Sequence, residues 1–435
     1  MTKLLALRGS LLHFLRDPGD DASPAAAQYF EDGLLLLQDG RVRDVGEARQ
    51  LLAKLPADTV VKDYSGKLLL PGFVDTHIHY PQTDMIASYG GQLLEWLEKY
   101  TFPVERRFAD PRHAREVADF FLDELLRNGT TTAMVLGTVH PASVDAIFEA
   151  SRARGLRMIA GKVLMDRNCP EDLRDTAASG DAQSRALIER WHGRDRLLYA
   201  VTPRFAPTSS EDQLRRAGRL LEEFPEVYLH THLAENRDEV AWVARLFPSC
   251  RGYLDVYDSF GLVRPRSVFA HCIHLDDAER RRMAERGALA AFCPTANLFL
   301  GSGLFDLQAA QQCGMAVGLG TDVGGGTSFS MLRTMHEAYK VAQLRGQRLS
   351  PFRALYLATL GGALGLGLGD KIGNFAPGKE GDLLVVDLAA TPLLERRLRL
   401  AKSLAEKLFA LIMLGDDRCI AATYALGREV YRAKA

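Results

Sequence analysis

From Pro71 to about Lys371 the chain repeats one unit: a short apolar stretch suited to a buried strand, then a longer amphipathic stretch suited to a helix. Strand-like runs occupy residues 71–79, 130–137, 156–163, 197–202, 227–232, 267–271, 288–293 and 316–321. Residues 141–155 read as a helix, Ser209 opens a second that is strongly amphipathic, and Asp276 begins another. Strands joined by helical crossovers run parallel, and about eight such units close on themselves. The expected fold is therefore α/β, a (β/α)8 TIM-like barrel over residues 71–375.

At 435 residues the chain is longer than the roughly 250 of a bare barrel, so attachments are expected. They lie at the two ends. Residues 1–70 read as short antiparallel strands, with an Asp39-Gly40 hairpin dipeptide between apolar runs. The opening MTKLLALRGSLLHF is broken by Arg8 and His13, so it reads as a strand rather than a signal peptide. Near the other end, Pro377-Gly378-Lys379-Glu380-Gly381-Asp382 leads into the strand LLVVD, and residues 421–431 read as a closing hairpin. Residues 1–70 and 376–435 are expected to form one small β-sandwich beside the barrel.

A formal net charge of -1 speaks against a nucleic-acid or anionic-membrane partner, and no uncharged run is long enough to span a bilayer. The 6 cysteines form no C-x-x-C pair, which points to reduced thiols and a cytoplasmic location.

In such a barrel the chemistry comes from the C-terminal ends of the strands. The polar residues there are His77, His79, Arg204, His232, His271 and Asp322. His77 and His79 are two apart, so they share one face of a strand. Imidazole and carboxylate without thiolate suit a catalytic zinc, or iron in a similar site. Glu235, three residues after His232, stands where a carboxyl group can move protons beside such a metal. Glu239 reads as a surface residue of a helix first turn. His230 reads as a packing residue or a support for a neighbour. The glycine-rich 318–326 stretch lacks the lysine of a phosphate loop and reads as tight backbone near a flat ligand.

PGFVDTHIH, HLAEN, AHC and GLGTD together resemble the amidohydrolase superfamily. Within it the chain is most similar to the guanine deaminase family, on HYPQTD at 79–84, LLEWLEKYTFPVE at 93–105, TPRFAPTSS at 202–210, HLAENRDEV at 232–240, GTDVGGGTSFSML at 320–332 and LGDDR at 414–418. The resemblance implies one Zn2+ per subunit held by His77, His79, His232 and Asp322. It implies catalytic roles for Glu235, Asp322 and His271, and a homodimer. Guanine would be the substrate, bound by Gln82, Arg204 and Phe205 with His232 and Glu235 beside it. Glu235 would protonate a ring nitrogen, C2 would be attacked, and xanthine and ammonia would result. Arginine suits the O6 and N7 acceptors of guanine, and a glutamine amide can both donate and accept along the purine edge. Trp96 and Tyr100 are candidate wall residues. The His-x-Glu and Pro-Cys-x-x-Cys patterns of the other zinc deaminase class are absent. Two rival readings stand at this level: a relative acting on adenine derivatives, cytosine or triazines, and a non-catalytic scaffold.

Overall fold

The computed structural model describes residues 4–20, 23–56 and 59–434; residues 1–3 of the expected N-terminal strand lie outside the described residues. Four long strands come first: β1 (Leu4–Phe14), β2 (Ala27–Gln38), β3 (Arg41–Glu47) and β4 (Val60–Pro71). They are longer than their turn signals suggest. β1 pairs β2 antiparallel but β4 parallel, because the β2–β3 hairpin and the short helix Ala48–Leu52 supply the crossover.

β4 passes through Gly72 into the barrel. Its strands are β5 (Phe73–His79), β6 (Thr130–Leu136), β7 (Arg157–Gly161), the short β8 (Val163–Leu164), β9 (Leu197–Pro203), β10 (Tyr228–Leu233), β11 (Ser267–His271), β12 (Leu289–Phe292) and β13 (Ala316–Leu319). The order is β13-β12-β11-β10-β9-β7-β6-β5, with β8 beside β9 and every pair parallel. At the seam the Asp322 backbone N–H donates to the His77 carbonyl at 2.9 Å, and Thr76 Oγ1 donates to the Leu319 carbonyl at 3.0 Å. Val74, Met134, Ile159, Val268 and Leu289 fill the barrel interior, and Leu366, Leu368 and Ile372 plug it from below. Burial of these side chains supplies the apolar driving force and leaves only the C-terminal mouth free for polar groups. On the outside, helices pack against the strands. Pro111–Arg127 is capped by Asp110, and Pro141–Arg154 ends on left-handed Gly155. Glu211–Glu223 is capped by Ser210, one residue later than expected; Ser209 is buried instead.

β14 (Leu383–Val386), β15 (Ile420–Ala425) and β16 (Arg428–Arg432) return to the first sheet, whose order is β16-β15-β14-β4-β1-β2-β3. The two chain ends thus share seven strands. The sheet curls over Leu7, Leu35, Leu69, Val385 and Tyr424 until its two edge turns meet. There the Gly381 N–H donates to the Gly40 carbonyl at 2.7 Å, and the Gly427 N–H to the Gly381 carbonyl at 2.9 Å. Beneath the barrel, buried Arg157 and Arg196 pair with Glu380 and Asp382. Loss of one member would leave an uncompensated buried charge, so the network holds the returning chain to the barrel floor. All six cysteines are free. Among the described residues, no helix is long and apolar enough to cross a membrane.

Candidate functional site

The first barrel strand does not alternate strictly. Its register against β6 shifts between Asp75 and Ile78, so Ile78 packs outward while His77 and His79 face the cavity. Buried Asp75 accepts from the backbone N–H groups of His77 (3.2 Å) and Thr321 (3.1 Å), and from the Thr321 hydroxyl. One carboxylate thereby holds the ends of β5 and β13 in register.

Four strand ends meet above the core. His77 Nε2 and His79 Nε2 lie 3.2 and 3.3 Å from Asp322 Oδ1, and His79 Nε2 lies 3.2 Å from His232 Nε2. His271 Nε2 lies 3.7 Å from Asp322 Oδ2. The backbone turns through the left-handed region at Ala234 (φ 50), His271 (φ 73) and Asp322 (φ 52). Such conformations are costly for residues other than glycine and cluster where side chains must be aimed.

Hydrogen bonds behind the rings settle which nitrogen faces inward. His232 Nδ1 donates to the Arg204 carbonyl at 2.7 Å, and His271 Nδ1 donates to Asn297 Oδ1 at 2.9 Å. His232 Nε2 therefore presents a lone pair to the centre, and His271 Nε2 faces it. His230 Nε2 stands 2.7 Å from His77 Nδ1, so His230 supports the first histidine from behind. Burial holds His77, His79, His230 and His232 neutral, well below the usual imidazole range. His77 Nε2 is buried with no hydrogen-bond partner among the described residues. Two overlapping clusters, His77 with His79 and His232, and His77 with His271 and Asp322, bring their ligand atoms within 4.8 Å. A borderline cation is the group this donor set fits.

Glu235 is buried beside this cluster. Ser302 Oγ donates to its Oε1 at 3.1 Å, and its Oε2 lies 3.4 Å from His271 Nε2. Burial, then the charge of Asp322, pushes Glu235 up to about 8, so it holds a proton at neutral pH. Asp322 is pushed up to about 7, by burial; a bound cation would act in the opposite direction.

Glu239 corrects the sequence reading. It does occupy the first turn of Arg237–Leu246, but it is fully buried rather than at the surface. Its Oε2 accepts from the backbone N–H groups of Glu235 (2.8 Å) and Asn236 (3.1 Å), and its Oε1 accepts from the Tyr253 hydroxyl at 2.7 Å. It fixes the loop that carries Glu235.

A small cavity lies over the cluster, with about 400 Å³ of empty space that includes its opening to solvent. Gln82, Arg204 and Phe205 line it, and Leu93, Trp96, Leu97 and Leu300 form its apolar wall. Tyr100 is not on that wall; it packs behind it. Gln82 Nε2 lies 3.1 Å from His79 Nδ1 and donates to Glu105 Oε1 at 3.1 Å. Arg204 Nη1 donates to both oxygens of Glu105, at 2.9 and 2.8 Å. Sequence reasoning passed over Glu105, Ser302 and Asn297. Glu105 was visible as a lone carboxylate closing the apolar TFPV stretch, but its partner Arg204 is 99 residues away.

The amidohydrolase family model matches residues 68–430. The guanine deaminase of Escherichia coli K12 is 57% identical over 431 residues, covering 98% of each chain. The solved E. coli guanine deaminase structure superimposes with a TM-score of 0.95 at 54% identity, covering 99% of this chain and 100% of that one. The structure of the C. acetobutylicum guanine deaminase, which has guanine bound in its active site, matches with a TM-score of 0.89 at 28% identity and the same coverage.

Proposed function

The chain belongs to the amidohydrolase family, in its guanine deaminase group, and from that premise we propose that it hydrolyses guanine to xanthine and ammonia in the cavity described above. The observation that carries this reading is the meeting of two sets of groups in one small cavity. A cluster of neutral histidines and a carboxylate forms one side, and a buried arginine and glutamine suited to a purine edge form the other.

In this reading His77, His79, His232 and Asp322 hold one ion, zinc in the first place and iron as the alternative. When bound, the ion supplies Lewis acidity and brings the proton affinity of a water into the neutral range. The chain's own groups do the rest. Arg204 donates to O6 and N7 of the base, and Gln82 pairs along the same edge. Phe205 and the Leu93–Leu97 wall keep water from the ring. Glu235 gives its proton to a ring nitrogen, which makes C2 electrophilic. Asp322 and His271 receive the proton released by the attacking water. Protons then return to the exocyclic amine, the C2–N bond breaks, and ammonia leaves. One guanine and one water become one xanthine and one ammonia.

The same reading takes the protein to be a cytoplasmic homodimer serving purine catabolism or salvage; the free cysteines support a reducing compartment. It also takes residues 71–375 as the catalytic unit and the two ends as a second, smaller one. The deciding experiment offers guanine, adenine, adenosine and cytosine to metal-replete protein and follows ammonia. Release from guanine with xanthine formation is expected. Turnover of another base without guanine would leave only the family.

A further inference from the structure

We infer that Glu105 is a positioning residue for base recognition: it fixes Arg204 and Gln82 so that their free edges read the O6 side of the purine. The inference rests on the guanine reading above. Glu105 is 1% exposed and does not line the cavity, so it acts through other side chains.

The physical case begins with a buried cation. Arg204 is 3% exposed, and a guanidinium so placed needs a counter-charge. Glu105 is its only carboxylate partner among the described residues, and both oxygens accept from the one nitrogen Nη1. Nε and Nη2 take no protein partner among the described residues, although Arg204 lines the cavity. The guanidinium also lies over the Phe102 ring, 5.6 Å from its centroid. Phe102 and Glu105 both belong to the short helix Phe102–Glu105, so one turn of chain clamps the cation by its face and by one nitrogen. What remains free is a fork of donors, the geometry that matches O6 and N7.

The same carboxylate orients the second reader. Gln82 Nε2 donates to Glu105 Oε1. A carboxylate only accepts, so it holds the amide nitrogen on its side and the amide oxygen on the other. Two groups, one directly after β9 and one in the short helix that follows β5, are thereby set by one residue on a third element. A carboxyl at this position has no evident role in the folding of its own helix, which has a single turn.

The test compares Glu105→Gln, Glu105→Asp, Arg204→Met and the double variant Glu105→Gln with Arg204→Met. In Glu105→Gln the KM for guanine should rise about 10- to 100-fold while kcat and metal content change by less than about threefold. The preference for guanine over 2-aminopurine, which lacks O6 and is scored by its inhibition constant, should fall by about tenfold or more. Glu105→Asp should lie between. The double variant should fall well short of the product of the two single losses, because the Arg204 contact is shared and only the Gln82 contact is left to lose. Where Glu105→Gln alone does not fold, Glu105→Asp takes its place in the comparison. Equal losses for guanine and 2-aminopurine, a fall in kcat at unchanged KM, or multiplicative losses in the double variant would overturn the inference. No guanine turnover by the unsubstituted protein would sink the guanine reading, and this inference with it.

Discussion

Gly324 tests how tightly the cavity floor is built. It follows Asp322 by two residues and its φ is +117, a region that side chains avoid. A Cβ added there would lie 2.6 Å from Gln82 Cβ and 2.8 Å from Gln82 Cδ, and closer still to Oε1. Swinging the amide away would relieve only part of this. Gln82 Cβ is fixed to the short helix Tyr80–Met85, which begins directly after His79. In Gly324→Ala the backbone conformation costs about 1–2 kcal/mol and the overlap about 1–3 kcal/mol. Displacing the amide from Glu105 costs about 1 kcal/mol. The folded state should therefore lose about 3–6 kcal/mol. If about 1.4 kcal/mol of this appears in guanine binding, KM rises tenfold. Thermal unfolding and the ultraviolet change as guanine becomes xanthine measure the two effects. Gly325, whose Cβ would sit 3.4 Å from its nearest neighbours, is the stability control, and its alanine variant should lose much less. A Gly324→Ala protein with the parent's melting temperature and KM would refute the reasoning.

Three further outcomes are expected. Glu235→Gln should retain its metal but lose roughly a hundredfold or more in kcat; near-normal turnover would remove its proton-transfer role. A chelator should abolish turnover and lower the melting temperature, with zinc or iron restoring both; full activity at less than about a tenth of a metal per chain would exclude the metal reading. His13 is buried, and that burial, opposed by Gln28 and reinforced by Lys379, pushes it down to about 4. Its unfolded value is higher, near 6.5, so its contribution to stability is full above about pH 6.5 and is lost as pH falls toward 4. His13→Phe should remove up to about 3 kcal/mol of that acid sensitivity in denaturant titrations at pH 7 and pH 4.5; identical slopes in both proteins would contradict it.

Much of the architecture lay open in the chain because it is periodic. Apolar strands alternating with amphipathic helices allow few solutions, and a nearly closed parallel barrel is the one the structure adopts. Its topology then brings the last polar residue of each strand to one mouth. That is why His77, His79, His232, His271 and Asp322, scattered over some 245 positions, can be listed from sequence as neighbours. What tertiary structure alone decided is everything set by contacts between elements with no common period. Glu105 meets Arg204 only because the segment after β5 folds back over the cavity. Glu239 looks like any first-turn glutamate until Tyr253 and the Glu235 loop close around it. The left-handed backbone at Ala234 belongs to a residue with no intrinsic preference for it. Local sequence constrains the direction in which a side chain leaves its strand. The partner it meets, and the proton affinity that results, depend on which distant surface closes over it and how much water that closure removes.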